Sequence, residues 1–321
     1  MNKQKVYDIL PIKVDVASNL KTINFYLLKT EHSLTLIDAG VAREAFYEEL
    51  VDTLNRNGFS ITDITEIILT HHHGDHVGLV NRMTKEHQVP VYAHEESIHR
   101  LKRDPDFLQM RAEFYERLYD EMGCGDAGKK RVNFLKEAIV KNKHQAIQSD
   151  ITPIKDFHAG LKTIYTPGHS QDHIVLFNEE TGDLFAGDLL IEHISTNALV
   201  EPDENGERIH TLIQHKQSLE KIKELNISCT YPGHGNLIHD TDQLLNRRIK
   251  GIENKAKKFK NMIAEEKRLT AAEVAQIYYK DVYDTQFSLV MSEIIGHLDY
   301  LEAKQEVAKE MVDGVWYYTA V

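Results

Sequence analysis

Thr70-His71-His72-His73-Gly74-Asp75-His76 follows directly on the apolar run Ile67-Ile68-Leu69. The run reads as a short buried strand. Imidazole and carboxylate groups gathered at its end are costly to place without a cation. His71 and His73 alternate, so an extended loop points both the same way. Asp75 and His76, one turn into the next element, face a second point nearby. Nitrogen and oxygen donors in this mix suit zinc, and less often iron or manganese. A bare His-His-His run is as much at home in a solvated loop; the spacing with Asp75 and His76 argues for a site.

The pattern recurs downstream. Thr166-Pro167-Gly168-His169-Ser170 follows an apolar stretch at 161–165, Gly187-Asp188 follows 184–186, and Pro232-Gly233-His234-Gly235 follows 227–231. The candidate donors His169, Asp188 and His234 thus lie just beyond the C-terminal ends of predicted strands, where open α/β sheets build their sites. Glycine beside each lets the backbone turn sharply and approach an ion.

Around these motifs strand and helix alternate. Strands are predicted at 6–16, 23–28, 34–37, 67–70 and 89–92, with helices near 43–56 and 79–86. More strands are predicted at 161–165, 174–177, 184–186 and 227–231, the middle pair joined by the turn Glu180-Thr181-Gly182-Asp183. This order argues for an α/β fold with helices outside the sheets. Residues 95–150 read as a helical insertion, with helices near 107–122 and 131–146 separated by Gly123-Cys124-Gly125-Asp126. Further on, Leu245, Ile249, Ile252, Ala256, Phe259 and Ile263 mark the apolar stripe of one long helix. Thr270 and Glu273 form a capping box, a further helix is expected near 286–301, and Asp313-Gly314 marks a terminal hairpin. Two domains are expected, 1–240 with its insertion and a small winged-helix-like unit over 241–321.

The 321 residues include 38 basic and 50 acidic side chains, a net charge of −12. That balance disfavours a wholesale grip on nucleic acid or an anionic membrane. Hydrophobic residues make up 41% of the chain, enough for a core, and no apolar run reaches the length of about eighteen that spans a bilayer. The basic tip has no apolar stretch or cleavage site behind it, and Cys124 and Cys229 are too few for a disulfide framework. The expectation is a soluble cytoplasmic protein acting on a small molecule, with homo-oligomerisation left open. A long helix carrying Arg247, Lys250 and Lys257 tempts one toward DNA. The helix that would enter a groove is different: Asp281, Asp284, Glu293, Asp299 and Glu302 occur there with no Lys or Arg. Such a face repels phosphate, so an accessory domain is favoured over a DNA-binding regulator.

The set His71, His73, Asp75, His76, His169, Asp188 and His234 resembles the metallo-β-lactamase fold superfamily, in its hydroxyacylglutathione hydrolase (glyoxalase II) branch. The resemblance implies a four-layer αββα sandwich. It places His71, His73 and His169 on one metal, Asp75, His76 and His234 on a second, and Asp188 on both. Asp188 stands where some β-lactamases of the superfamily use cysteine, and His73 where a diiron oxidoreductase branch has glutamate. A dinuclear hydrolase follows, with two divalent ions, zinc before iron or manganese. Such ions make hydroxide available near neutrality, and Asp75 is the catalytic residue that orients it. The bond attacked is then of ester type: a thioester, lactone or related acyl compound. Two competitors are a metal-dependent nuclease or phosphodiesterase and an iron-dependent sulfur dioxygenase using a subset of the same ligands.

Other residues carry lesser expectations. Asp38 is read equally as hydrogen-bonding a ligand or as the N-cap of the next helix. His72 should point away from the ions and be replaceable. His94 belongs on a polar rim, and His193 within reach of substrate. Tyr115 and Tyr119, four apart, should pack the insertion on its own sheet. Cys124 reads as a loop thiol and Cys229 as a core filler.

Overall fold

In the computed structural model, residues 7–321 are described, so Val6 of the first predicted strand lies outside them. The chain opens with antiparallel strands β1 (Asp8–Asp15), β2 (Thr22–Lys29) and β3 (Leu34–Ile37). Helix α1 (Glu44–Arg56) crosses to β4 (Glu66–Ile68). Helices α2 (Gly74–Val77) and α3 (Val80–His87) lead on to β5 (Val91–Ala93). Helices α4 (Ile98–Leu101), α5 (Pro105–Glu121) and α6 (Gly125–Lys141) come before β6 (Ile151–Pro153). The first sheet has the order β1-β2-β3-β4-β5-β6, parallel from β3 onward.

The second sheet takes β7 (Phe157–His158), β8 (Leu161–Tyr165), β9 (Ile174–Phe177) and β10 (Asp183–Gly187). Helix α7 (Thr211–Lys223) then crosses over to β11 (Cys229–Pro232), which lies parallel to β10. The order is β11-β10-β9-β8-β7. Sequence periodicity missed α7, whose apolar stripe is narrow, and the short edge strands β6 and β7.

Strand alternation explains the layering. Tyr26, Leu28, Ile37 and Ile68 of the first sheet meet Ile174, Leu176, Phe185 and Tyr231 of the second. Their neighbours Phe25, Leu27, Leu36 and Ile67 face outward onto Phe46, Leu50 and Leu54 of α1 and Met83 of α3. On the far side Val175, Leu184 and Ala186 meet Leu212, Leu219 and Ile222 of α7. Both sheets are covered on both faces, so their central strands β2, β3, β9 and β10 are buried along nearly their whole length, while the outer strands keep polar, exposed positions. The result is the four-layer αββα sandwich.

The remaining elements are α8 (Thr241–Glu266), β12 (Leu269–Thr270), α9 (Ala271–Tyr279), α10 (Phe287–Ala303), β13 (Val307–Val312) and β14 (Val315–Ala320). Thr270 and Glu273 make the capping box at α9. The β13–β14 hairpin turns at Asp313 and Gly314, both with positive φ, as a two-residue type I′ turn requires. Leu244, Leu245 and Ile252 of α8 cover the second sheet, whereas Ala256, Phe259 and Ile263 enter a separate core with α9 and α10. No helix among the described residues is long and apolar enough to cross a membrane.

Helix α5 belongs to that last core, which corrects the expected packing of Tyr115 and Tyr119 on their own sheet, whereas Leu101 and Ile147 near the insertion's ends do pack against the first sheet's outer face. Phe114, Tyr115, Leu118 and Tyr119 of α5, with Met122 just past its end, are buried with Phe259, Phe287 and Ile294. Each large apolar side chain so buried contributes about 1.5–3 kcal/mol. Cys124 lies in the turn between α5 and α6, as expected, and is buried in the same core. Gly125 and Asp126, expected in the break, form the first turn of α6, where an acidic residue suits the helix dipole.

One buried acid ties this lobe to the chain before α7. Asp299 of α10, 1% exposed, lies 2.9 Å from Arg208 Nη2. Burial pushes its carboxyl up to about 6, against the pull of Arg208. The folded value exceeds the unfolded one, so this group's stabilising contribution is complete below about pH 4. It is lost as pH rises through about 6. Asp299→Asn should therefore flatten the fall in urea midpoint between those limits, and parallel wild-type and variant curves would contradict this.

Candidate metal centre

The site is assembled from five turns at one edge of the sandwich. Asp38 follows β3 with a φ of 60°, a conformation that Asp tolerates better than most residues. Its carboxylate accepts hydrogen bonds from Thr70 N and Thr70 Oγ1, each at 2.8 Å, and stands 2.7 Å from His76 Nδ1. It therefore braces the loop after β4 and fixes the His76 ring. The N-cap alternative fails, because α1 starts at Glu44 with Arg43 as its cap residue and no side-chain cap bond.

Two donor groups result. In the first, His71 Nε2 and His169 Nε2 each lie 3.0 Å from His73 Nδ1, and Asp188 Oδ2 is 3.5 Å from His169 Nε2. In the second, His76 Nε2 and His234 Nε2 are 3.3 and 3.2 Å from Asp188 Oδ1. Asp75 Oδ2 is 3.4 Å from His234 Nε2. Within each group, His71-His73-His169-Asp188 and Asp75-His76-His234, the donor atoms lie within 4.8 Å of one another. All seven sequence-predicted residues come together, and Asp188 lies between the groups.

The outer ring nitrogens are held by the chain. His71 Nδ1 is 3.1 Å from Thr70 Oγ1, His169 Nδ1 donates to Asn197 O at 3.0 Å, and His234 Nδ1 donates to Thr22 O at 2.8 Å. A ring that donates from Nδ1 presents its Nε2 lone pair inward. Glycines make room for this convergence. A Cβ on Gly233 would sit 2.7 Å from both Asp188 Oδ1 and His76 Cε1. One on Gly168 would strike the His215 backbone at 2.4 Å.

Electrostatics differ between the groups. Burial, reinforced by neighbouring imidazoles, holds His71 and His73 well below the usual histidine range, and burial lowers His169. Burial opposes the charged forms of His76 and His234 too, but the Asp188 carboxylate raises both. Burial works against ionised Asp188 as well, yet His76 and His234 hold it well below the carboxylate range. His76 Nε2, His234 Nε2 and Asp188 Oδ1 are buried without a hydrogen bond. Groups so placed need a charged partner to offset their desolvation.

Supporting residues escaped the sequence reading. His173 Nδ1 lies 2.9 Å from Thr166 Oγ1, and its Nε2 accepts the Asp188 N–H at 3.1 Å. His72 does not simply turn to solvent: its Nδ1 is 2.8 Å from Asp172 Oδ1, and Ser97 Oγ donates to Asp172 Oδ2 at 2.7 Å. Burial disfavours the Asp172 carboxylate, but His72 brings it well below its ordinary range. Only the dipeptide Asp172-His173, three residues past His169, signalled these roles.

The other histidines settle as follows. His94 stacks on Tyr165 with centroids 4.3 Å apart. His158 pairs with Glu66 at 2.7 Å, and His193 Nε2 lies 2.9 Å from Asn19 O. Tyr115 donates to Val200 O at 2.7 Å, beside Glu201, which Arg111 clamps. Cys229 sits partly buried against the core between the sheets.

The family model described as "Metallo-beta-lactamase superfamily" matches residues 19–234. "Probable metallo-hydrolase YqjP" of Bacillus subtilis (strain 168) is 29% identical over 314 residues, 97% of each chain. A more distant relative, "Atrochrysone carboxyl ACP thioesterase" of Aspergillus fumigatus, is 24% identical over 230 residues, 72% of this chain and 56% of that protein. The crystal structure of metallo-beta-lactamase family protein TTHA1429 from Thermus thermophilus superposes with a TM-score of 0.78 at 25% identity. It covers 98% of both chains, so the likeness extends through the insertion and the C-terminal lobe. With two thirds of its length matched and the fold shared, this chain belongs to the metallo-beta-lactamase superfamily.

Proposed function

We propose that this chain is a hydrolase that uses two divalent cations, zinc foremost, to cleave an ester-type bond in a small molecule. Thioesters, lactones and related acyl compounds form the substrate class. The carrying observation is the pair of donor groups meeting at Asp188, with buried His76 Nε2, His234 Nε2 and Asp188 Oδ1 lacking hydrogen bonds. Five imidazoles and two carboxylates are a donor set that suits zinc. In this reading His71, His73 and His169 would hold one ion and Asp75, His76 and His234 the other, with Asp188 placed to serve either.

When bound, such a pair supplies Lewis acidity and hydroxide at neutral pH. The chain's own residues do the rest. Asp75, its side chain 28% exposed, is more open than Asp188 at 9%. It can accept a hydrogen bond from the attacking water and hold it in line. Asp38, Thr22 and the Asn197 carbonyl fix ring orientations, and His173 pins the backbone of Asp188. Fixed donors need no reorganisation during the reaction.

The thioesterase relative supports the acyl reading, and the metallo-hydrolase relative supports hydrolysis with a metal. We read the C-terminal lobe as a winged-helix-like accessory unit, in the order helix, strand, two helices and hairpin. Its α10 is buried along most of its length, which favours packing over a nucleic-acid role.

Metal analysis together with a panel of thioesters, lactones, β-lactams, phosphodiesters and RNA tests the proposal. Two zinc ions per chain and turnover of an acyl compound are expected. One iron with oxygen uptake, or cleavage confined to phosphodiesters, would overturn it.

A further inference from the structure

A groove of about 650 Å³ runs between α6 and the first turn of α10. Phe134 stands on one wall and Phe287 and Leu289 on the other. Phe134 is 56% exposed and Leu289 42%, an uncommon outlay of large apolar surface on facing walls. The backbone at the rim of the groove is tied to the metal centre's surroundings through Asn197. The Leu289 carbonyl accepts from Asn197 Nδ2 at 3.5 Å, and the Asn197 carbonyl accepts from His169 Nδ1 at 3.0 Å. Two hydrogen bonds thus separate the groove from a candidate ligand ring.

Its charge is as informative as its apolarity. Lys130 and Arg131 line the same wall as Phe134, and the Arg131 guanidinium lies 4.9 Å from the Phe134 ring centre. Neither cation has an ion-pair partner among the described residues, and Asp284 is the one acid in the lining. Unpaired cations beside an apolar trough are notable in a chain of net charge −12. A larger groove of about 980 Å³ has the opposite character, with Glu95, Glu96, Asp104, Asp106, Asp203 and Glu204 on its walls. An anionic amphiphile is repelled there and accepted between α6 and α10.

We propose that the α6–α10 groove binds an apolar chain carrying an anionic group, and that esters or thioesters of such chains are the substrates. This rests on the hydrolase reading above. Phe134 and Leu289 take the chain, and Lys130 with Arg131 take the anion.

Calorimetric titration of the full, metal-loaded protein with octyl phosphate and with uncharged octyl glucoside tests the groove without turnover. Phe134→Ser should weaken both by about tenfold. Lys130→Glu should weaken octyl phosphate by about tenfold and leave octyl glucoside unchanged. Both positions are exposed, so neither change threatens folding. Failure of octyl phosphate to bind, or binding indifferent to Phe134→Ser, overturns the groove assignment. Hydrolysis provides the separate arm. Decanoyl-coenzyme A carries its anion on the leaving group, and the decanedioic monothioester of N-acetylcysteamine carries it on the acyl chain. Turnover of either, with KM raised and kcat unchanged in Phe134→Ser, identifies the source of the anion. Groove binding with no turnover of any ester supports the groove and overturns the hydrolase reading instead.

Discussion

His73→Ala protein should keep the wild-type circular dichroism and lose turnover by about a thousandfold or more, equivalent to about 4 kcal/mol of barrier. His73 Nδ1 is the point on which His71 Nε2 and His169 Nε2 converge, each at 3.0 Å. Removing it leaves His71, His169 and Asp188 one donor short of the four that make up the first group. The side chain lies in a loop rather than in a core, so the fold tolerates its loss. Asp75→Ala should act alike, because it removes both a donor of the second group and the hydrogen-bond acceptor for the attacking water. Steady-state rates at saturating metal, with ion stoichiometry measured in parallel, provide the check. Wild-type rates in either variant would sink the metal mechanism.

The second large effect is on stability. Sequence spacing marks His72 as a bystander, and its replacement by alanine would then be close to neutral. The structure reverses this expectation. Asp172 is fully buried, and the His72 ring, with Nδ1 2.8 Å away, is one of its two close side-chain partners. Taking the ring away leaves a carboxylate in the interior with the Ser97 hydroxyl and the more remote charge of Arg100. Breaking a buried pair from one side costs about 3 kcal/mol or more. His72→Ala should therefore lower the denaturant midpoint clearly, and His72→Ala with Asp172→Ala should cost less than the sum of the two. A single variant within about 0.5 kcal/mol of wild type, the range of ordinary surface changes, would show that the pair carries no weight.

Local signals made the centre legible. Each donor follows a strand whose apolar run is visible, and the glycines beside them answer to real close approaches, as at Gly168 and Gly233. The long stripe of α8 and the capping box at Thr270 were readable for the same reason. What stayed hidden depends on distant partners. Asp172 meets a side chain 100 positions away, and Asn24 donates to the Pro232 carbonyl across 208. No periodicity encodes such meetings. Tyr115 and Tyr119 show the same limit: their helical spacing identifies a buried face, but not which neighbour buries it.

Helix α8 carries a practical consequence. Its first half roofs Val175, Leu184 and Ala186, and its second half floors the insertion and the last hairpin. A chain amputated after residue 240 would lose the part of the second sheet's cover that α8 adds beside α7 and leave α5 and α6 without support. Such a stump is expected to clump rather than turn over substrate, and calorimetry of the intact protein is expected to show a single melting step; two resolved transitions would contradict it.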